Sequence, residues 1–144
     1  MSPPSKLGEY CRIFPDVTFG AETRVGNFVL IRDATRIGSR CTIGSYVDIE
    51  GDVVEDLVFC GPRVITMNDR RIVHKRPFEF VRNAPRICRA ARVGGGSVLL
   101  PGVVVGANAF VGAGSVVTKD VPERAIVVGN PARVVGTVKD EELL

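Results

Sequence analysis

The chain has 144 residues, a length that one domain fills and that suffices for a buried core of its own. Apolar residues make up 45% and charged residues 24%, which excludes a disordered chain, and a net charge of +3 is too small to point to nucleic acid although it suits an anionic ligand. Cys11, Cys41, Cys60 and Cys88 lie far apart with no CxxC spacing and no histidine cluster, so buried cytosolic thiols are expected rather than disulfides or a metal site.

The chain opens on MSPPSKLGEYCRIF, polar and interrupted by proline, with no apolar h-region of a secretion signal; a cytoplasmic protein is expected. From Ile13 a bulky apolar residue then recurs every six positions: Phe19, Val25, Ile31, Ile37, Ile43 and Ile49. A weaker middle run, Val54, Cys60 and Thr66, is offset by one, because Ile49 to Val54 is a step of five. The period returns at Ile87 and continues through Val93, Leu99, Val105, Val111 and Val117. Most positions four after the bulky one are small or β-branched, among them Thr35, Cys41, Ala91, Ser97, Ala109 and Ser115. Glycine follows the bulky residue at Gly20, Gly26, Gly38, Gly44, Gly61, Gly94, Gly106 and Gly112, where it is expected to supply the unusual backbone angles of a corner.

A period of six matches neither the 3.6 of a helix nor a plain strand alternation. It matches short strands joined by tight turns, each pointing one bulky side chain inward, which bury their inner faces by stacking coil on coil. The same period decides how residues 93–117 are read. These twenty-five residues carry no charge and are long enough to cross a bilayer. A spanning helix has no reason to keep that spacing with Pro101 and several glycines inside it, so no membrane association is expected.

The [LIV]-G-x4 repeat over roughly residues 13–136 resembles the hexapeptide-repeat acyltransferases. The resemblance implies an all-β, left-handed parallel β-helix solenoid of hexapeptide repeats. It would form one domain over 1–144, with one long protruding loop (about 67–86) and a short C-terminal tail. The stretch GANAFVGAGSVVTKDVPERAIVVGNPAR looks like the ending of coenzyme A-dependent sugar acetyltransferases, and EDLVFCGPRVITMND resembles N-acetyltransferases acting on nucleotide-linked amino sugars.

Function is expected in the interruptions of the rhythm, since the repeats are scaffold. The loop MNDRRIVHKRPFEFVRNAPR sets Arg70, Arg71, Lys75, Arg76, Arg82 and Arg86 against Asp69 and Glu79. Such a cationic loop is either a clamp for a nucleotide diphosphate or a solvated surface loop. His74, the one histidine, is either a general base, the role an imidazole suits near neutral pH, or an ordinary loop residue. In the amino-sugar group Asn and Asp follow the Thr closely, as Asn68 and Asp69 do here. They are candidate substrate-orienting residues, while a polar turn opening the loop would favour the same pair.

For the tail, the resemblance implies acetyl-CoA as cosubstrate, lying between neighbouring subunits of a homotrimer. Carried over by motif, its contacts fall on Gly96, Ala113, Gly114, Ser115, Thr118, Lys119, Asn130, Pro131 and Arg133. The same segments are also a tight corner and an exit turn, and both readings hold together. The tail KDEELL is expected either to form a helical turn capping the open edge of the solenoid or to fray.

Two features depart from the amino-sugar group. The chain runs shorter before EDLVFCGP by about one coil plus one residue, which leaves a stackable solenoid because each coil meets its neighbours alone. Leu30 stands where relatives often place a histidine. The expected function is therefore acetyl-CoA-dependent N-acetylation of a nucleotide-linked amino sugar in surface-polysaccharide biosynthesis. The alternatives are O-acetylation of a sugar or small hydroxyl compound with His74 as base, and a catalytically silent β-helix scaffold. Carbonic anhydrase chemistry on the same solenoid needs three histidine ligands; with one histidine present, no metal is expected.

Overall fold

The computed structural model describes residues 3–144; Met1 and Ser2, which the single-domain span includes, lie outside the described residues. Strands of two residues follow one another from Lys6–Leu7 to Val116–Val117 and stack into three parallel sheets. The first sheet starts at Lys6–Leu7, the second at Arg12–Ile13 and the third at Thr18–Phe19, and partners in the early coils lie eighteen residues apart: Lys6 opposite Arg24, Arg12 opposite Leu30, Thr18 opposite Arg36. This is an all-β parallel β-helix in which one coil is three hexads. We call the turn from first to second sheet the first corner, from second to third the second corner, and the return the third corner.

From Arg24–Val25 to Val116–Val117 the second residue of each strand points inward. Ile31, Ile49, Leu99 and Val117 fill one wall of the core, Val25, Ile43, Val93 and Val111 another, and Ile37, Val54, Ile87 and Val105 the third, all buried. Each such side chain contributes about 1.5–3 kcal/mol of burial, an upper estimate against an extended chain. The uncharged stretch 93–117 is a run of these rungs. Among the described residues no helix is long and apolar enough to cross a membrane.

The glycines of the repeat act differently from expectation. Those after the bulky residue do not take left-handed backbone angles; they stand where successive coils touch. A Cβ at Gly94 would lie 2.5 Å from the backbone nitrogen of Ala113, and one at Gly44 would lie 2.7 Å from that of Pro62. The left-handed residue comes two positions later and is mostly not glycine. At the first corner the column reads Tyr10, Phe28, Tyr46, Arg63, Gly96 and Gly114, each with positive φ.

The five-residue step after Ile49 is absorbed in the turn at 50–52. Across it all three sheets keep register with partners seventeen residues apart, Arg36 opposite Val53, Thr42 opposite Phe59 and Asp48 opposite Ile65, so the solenoid stacks without a gap. The protruding arm leaves after Ile65–Thr66 and returns at Arg86–Ile87, replacing one second corner. Its bounds are therefore 67–85. Arg86, expected among the loop cations, belongs to a strand and is paired with Glu55 through Nη2 at 2.5 Å and Nε at 3.0 Å.

At the C-terminal end Ala125–Val128 continues the first sheet over Phe110–Val111, and Arg133–Thr137 folds back antiparallel on it, closing that edge. The tail forms a short 3-10 turn at Asp140–Glu142. It lies along the third corner instead of over the coil's open end. Arg92 pairs with Glu142 at 2.8 Å, Arg124 with Asp140, and Arg89 and Asn108 donate to the Leu144 carbonyl.

Candidate active site

The arm is built by its own side chains. Asp69 opens it: one carboxylate oxygen accepts the backbone N–H groups of Arg71 and Ile72 at 2.9 and 2.8 Å, and the other accepts that of Val73 at 2.9 Å. These bonds, the Val73 one first, hold its carboxyl below the ordinary carboxylate value. Asn68 closes the base, accepting the Asn83 N–H on its carbonyl at 2.8 Å while its amide donates to the Glu50 carbonyl at 3.3 Å.

Two arginines pin the arm to the coils on either side. Arg82 reaches back to the Asp33 carboxylate at 2.6 Å, and Arg70 reaches forward to the Pro101 carbonyl at 3.2 Å. The Arg82 hydrogen bond is the first cause that lowers the Asp33 carboxyl below its usual value. The Arg71 guanidinium lies 3.8 Å over the Phe78 ring, so that cation is spent within the arm. Lys75 and Arg76 stand exposed at the tip. His74 is exposed beside them, and among the described residues its imidazole takes no hydrogen bond.

Two clefts flank the arm's base. One, about 290 Å³, lies within it and is lined by Asp69, Arg70, Arg71, Glu79, Arg82 and Asn83 with Val73 and Val81. The other, about 410 Å³, lies between arm and coil on the C-terminal side, lined by Met67, Asp69, Arg70, Ile72, Leu100, Pro101 and Thr118. Next in sequence to Thr118, Lys119 enters a smaller cavity of about 150 Å³ shared with Asp120, Ala132 and Arg133. The second corner thus joins the arm, Thr118, Lys119 and Arg133 in one run of surface.

The other expected coenzyme residues stand across the second sheet. Gly96 and Gly114 stack at the first corner, where a Cβ on Gly114 would meet nothing within 4 Å, and Ala113 adjoins them. Ser115 is buried; its hydroxyl donates to the Gly112 carbonyl at 2.6 Å and accepts the Gly129 N–H at 3.2 Å. Through that bond, and through Val116 N–H to the Gly129 carbonyl and Ala132 N–H to the Val116 carbonyl, the Gly129–Ala132 turn is tied to the last strand of the second sheet. Asn130 and Pro131 lie exposed on that turn, joined by a cis peptide. Met67, Ile72, Leu100 and Pro101 line the larger cleft and were not singled out in the sequence. As apolar residues at corner positions they read as scaffold.

Residues 84–119 match the family model described as bacterial transferase hexapeptide (six repeats). The bifunctional protein GlmU of Shouchella clausii is 35% identical over 133 residues, covering 90% of this chain and 27% of its own length. The dTDP-3-amino-3,6-dideoxy-alpha-D-galactopyranose 3-N-acetyltransferase of Aneurinibacillus thermoaerophilus is 50% identical over 50 residues, 35% of this chain and 26% of that one. The chain therefore spans about a quarter of the length of the curated relatives it matches. Among solved structures, a point mutant of AntD, an N-acyltransferase from Bacillus cereus in complex with dTDP and coenzyme A, superposes with a TM-score of 0.74 at 22% identity, covering 96% of this chain and 86% of that one. The coil is the left-handed parallel β-helix that the resemblance implied. Repeat and coil geometry make the chain a hexapeptide-repeat parallel β-helix, and residues 84–119 of it are similar to the bacterial transferase hexapeptide family.

Proposed function

We propose that the chain transfers the acetyl group of acetyl-CoA to the amine of a nucleotide-linked amino sugar. The cleft between arm and coil carries this reading, because it brings the arm's Asp69 and Arg70 against Thr118, next to the cations Lys119 and Arg133. Relatives whose names state N-acyl transfer, with a dTDP-linked sugar or with dTDP and coenzyme A, support the substrate class.

In this reading the coenzyme's phosphates meet Lys119 and Arg133, which have no acceptor role and supply charge. Its pantetheine arm follows bare backbone at Gly96, Ala113 and Gly114, and Asn130 and Pro131 form the far wall. The Ser115 side chain supports that corner from within, so its part is to shape the backbone. The amine lone pair attacks the thioester carbonyl carbon and a tetrahedral oxyanion forms. The C–S bond then breaks, and the thiolate leaves while nitrogen gives up its proton. Asn68 orients the acceptor, and Asp69 shapes the turn that presents Arg70 to the cleft. His74, whose imidazole takes no hydrogen bond among the described residues, is the candidate base.

The exposed Ile72, Phe78, Phe80 and Val81 on the arm suit contact with a neighbouring copy, as the homotrimer of the resembled family requires. Surface-polysaccharide biosynthesis in the cytoplasm is the setting this chemistry fits. The test is thiol release from acetyl-CoA across UDP- and dTDP-linked amino sugars, against a no-acceptor blank that controls for the four cysteines. Acceptor-dependent release is the expected result; acetyl-CoA binding without release for any acceptor would leave a coenzyme-binding scaffold instead.

A further inference from the structure

The hydroxyls that enter the core of this β-helix find acceptors. Thr23 donates to the Gly38 carbonyl at 2.7 Å, Thr35 to that of Arg32 at 2.8 Å, and Ser97 to that of Gly112 at 3.1 Å. Asp52 is different. Its side chain is 0% exposed, its Oδ1 accepts the Thr66 hydroxyl at 3.0 Å, and among the described residues its Oδ2 meets no donor. It stands where the turn is one residue short, and its partner Thr66 is itself a polar residue in a wall otherwise built from Ile31, Ile49, Leu99 and Val117.

Both ends of the arm meet the short turn that holds this pair. The arm leaves the coil directly after Thr66, whose hydroxyl also accepts the Glu50 N–H at 3.0 Å. It returns at Pro85, whose carbonyl accepts the N–H of Val53, the residue after Asp52, at 3.4 Å. Between them Asn68 is tied to the Glu50 carbonyl of the same short turn. We infer that Asp52 is a positioning residue: through Thr66 it locks the shortened turn, which holds the arm's departure there and its return at Val53, and so sets where Asn68, Asp69 and Arg70 stand.

A valine there would remove the unpaired carboxylate oxygen but would strip the buried Thr66 hydroxyl of its acceptor. What the carboxyl adds is a response to pH. Burial pushes its pKa up to about 8, with the Thr66 hydroxyl opposing and the negative charges of Glu50 and Asp48 adding to the rise. Cys60 faces it from the first sheet, its thiol also pushed up by burial. The nearby cations are engaged elsewhere, Arg32 with Glu50 and Asp48 and Arg82 with Asp33. Below the transition the carboxyl is neutral and the arm's root is closed. Above it, a charge with one hydrogen bond appears in an apolar core, and movement of the short turn relieves it and carries both arm ends along. The folded chain holds a proton that the unfolded chain releases at ordinary carboxylate pH, so stability falls as pH rises from about 4 to about 8 and levels off above.

The test is amide hydrogen exchange of residues 67–85 in the full chain from about pH 6 to about pH 10, corrected for the intrinsic rate. Arm protection is expected to fall by up to about tenfold per pH unit as the pH rises toward the transition and to level off above it, with Asp52→Asn abolishing that fall. An unchanged fall in Asp52→Asn overturns the inference. Should that variant not fold, Thr66→Val keeps the carboxyl and removes its donor. It should move the transition to higher pH, and an unmoved transition overturns the inference equally. For turnover the inference rests on the transfer proposed above: acceptor KM should follow the arm's exchange while acetyl-CoA KM does not. A pH-gated arm without acetylated product sustains Asp52 as the arm's lock and sinks the transfer reading alone.

Discussion

One line of residues along the first corner carries two different surfaces. Toward the N-terminus Tyr10, Phe28 and Tyr46 stack ring on ring, centroids 4.9 Å apart and planes within 12°, with the Arg63 guanidinium 4.6 Å over the last ring. Toward the C-terminus the same backbone position holds Gly96 and Gly114, and the corner is bare. All six residues share the left-handed conformation. It costs a bulky residue about 1 kcal/mol or more, which the ring stack offsets by about 0.5–1.5 kcal/mol per pair. The coil tolerates either solution, so what distinguishes the two ends is what must come near the backbone. Bare backbone lies where the coenzyme arm is proposed, and filled corners lie where the coil has nothing to admit.

The largest effect tests whether the glycines of the repeat serve stacking or conformation. Gly94 has no unusual φ, yet a Cβ there would sit 2.5 Å from the Ala113 nitrogen, a backbone atom that cannot turn aside. Gly94→Ala is expected to destabilise the chain by about 3 kcal/mol, read as a lowered denaturant midpoint. Gly114→Ala, with open space around it, should cost about 1 kcal/mol for its φ of +70° and disturb acetyl-CoA binding far more than folding. Equal losses of stability would erase the distinction.

The next effect concerns the coenzyme's phosphates. Lys119 and Arg133 share one cavity beside Asp120, whose carboxylate is engaged by the Val104 N–H at 2.9 Å. Replacing both with Ala should weaken acetyl-CoA binding by about 10- to 100-fold, with a smaller loss at high salt because the contribution is electrostatic. Calorimetry at two ionic strengths checks both statements. Unchanged affinity would remove the C-terminal cavity from the coenzyme path and leave the bare corner as a feature of stacking alone.

Much of the coil was legible because its period is arithmetic. Six residues per side and three sides per coil put Ile31 over Ile49 and Val93 over Val111, and the five-residue step to Val54 announced a short turn by spacing alone. The arm was legible as the one long break. What the residues did not announce depends on quantities absent from a sequence. Glycine after each bulky residue looked like a conformational requirement, yet coil-to-coil distance imposes it, while Phe28 and Tyr46 take the strained angles. Asp52 registered as a slip in phase, because nothing local says that a shortened turn points a corner side chain inward. Leu100 and Pro101 line a cleft with apolar residue types that the coil also uses in its core and turns.

The smallest effect is the sharpest on the comparison itself. Tyr46→Gly relieves the left-handed strain at one position but removes a ring packed between Phe28 and Arg63. The relieved strain offsets part of the lost packing, so the net loss should be about 1 kcal/mol. Acetyl-CoA affinity should not change, since the bare segment begins at Gly96, a full coil beyond Arg63. If Tyr46→Gly weakens acetyl-CoA as much as a substitution at Gly114 does, the aromatic line is part of the binding surface, and the two ends of the corner are one site.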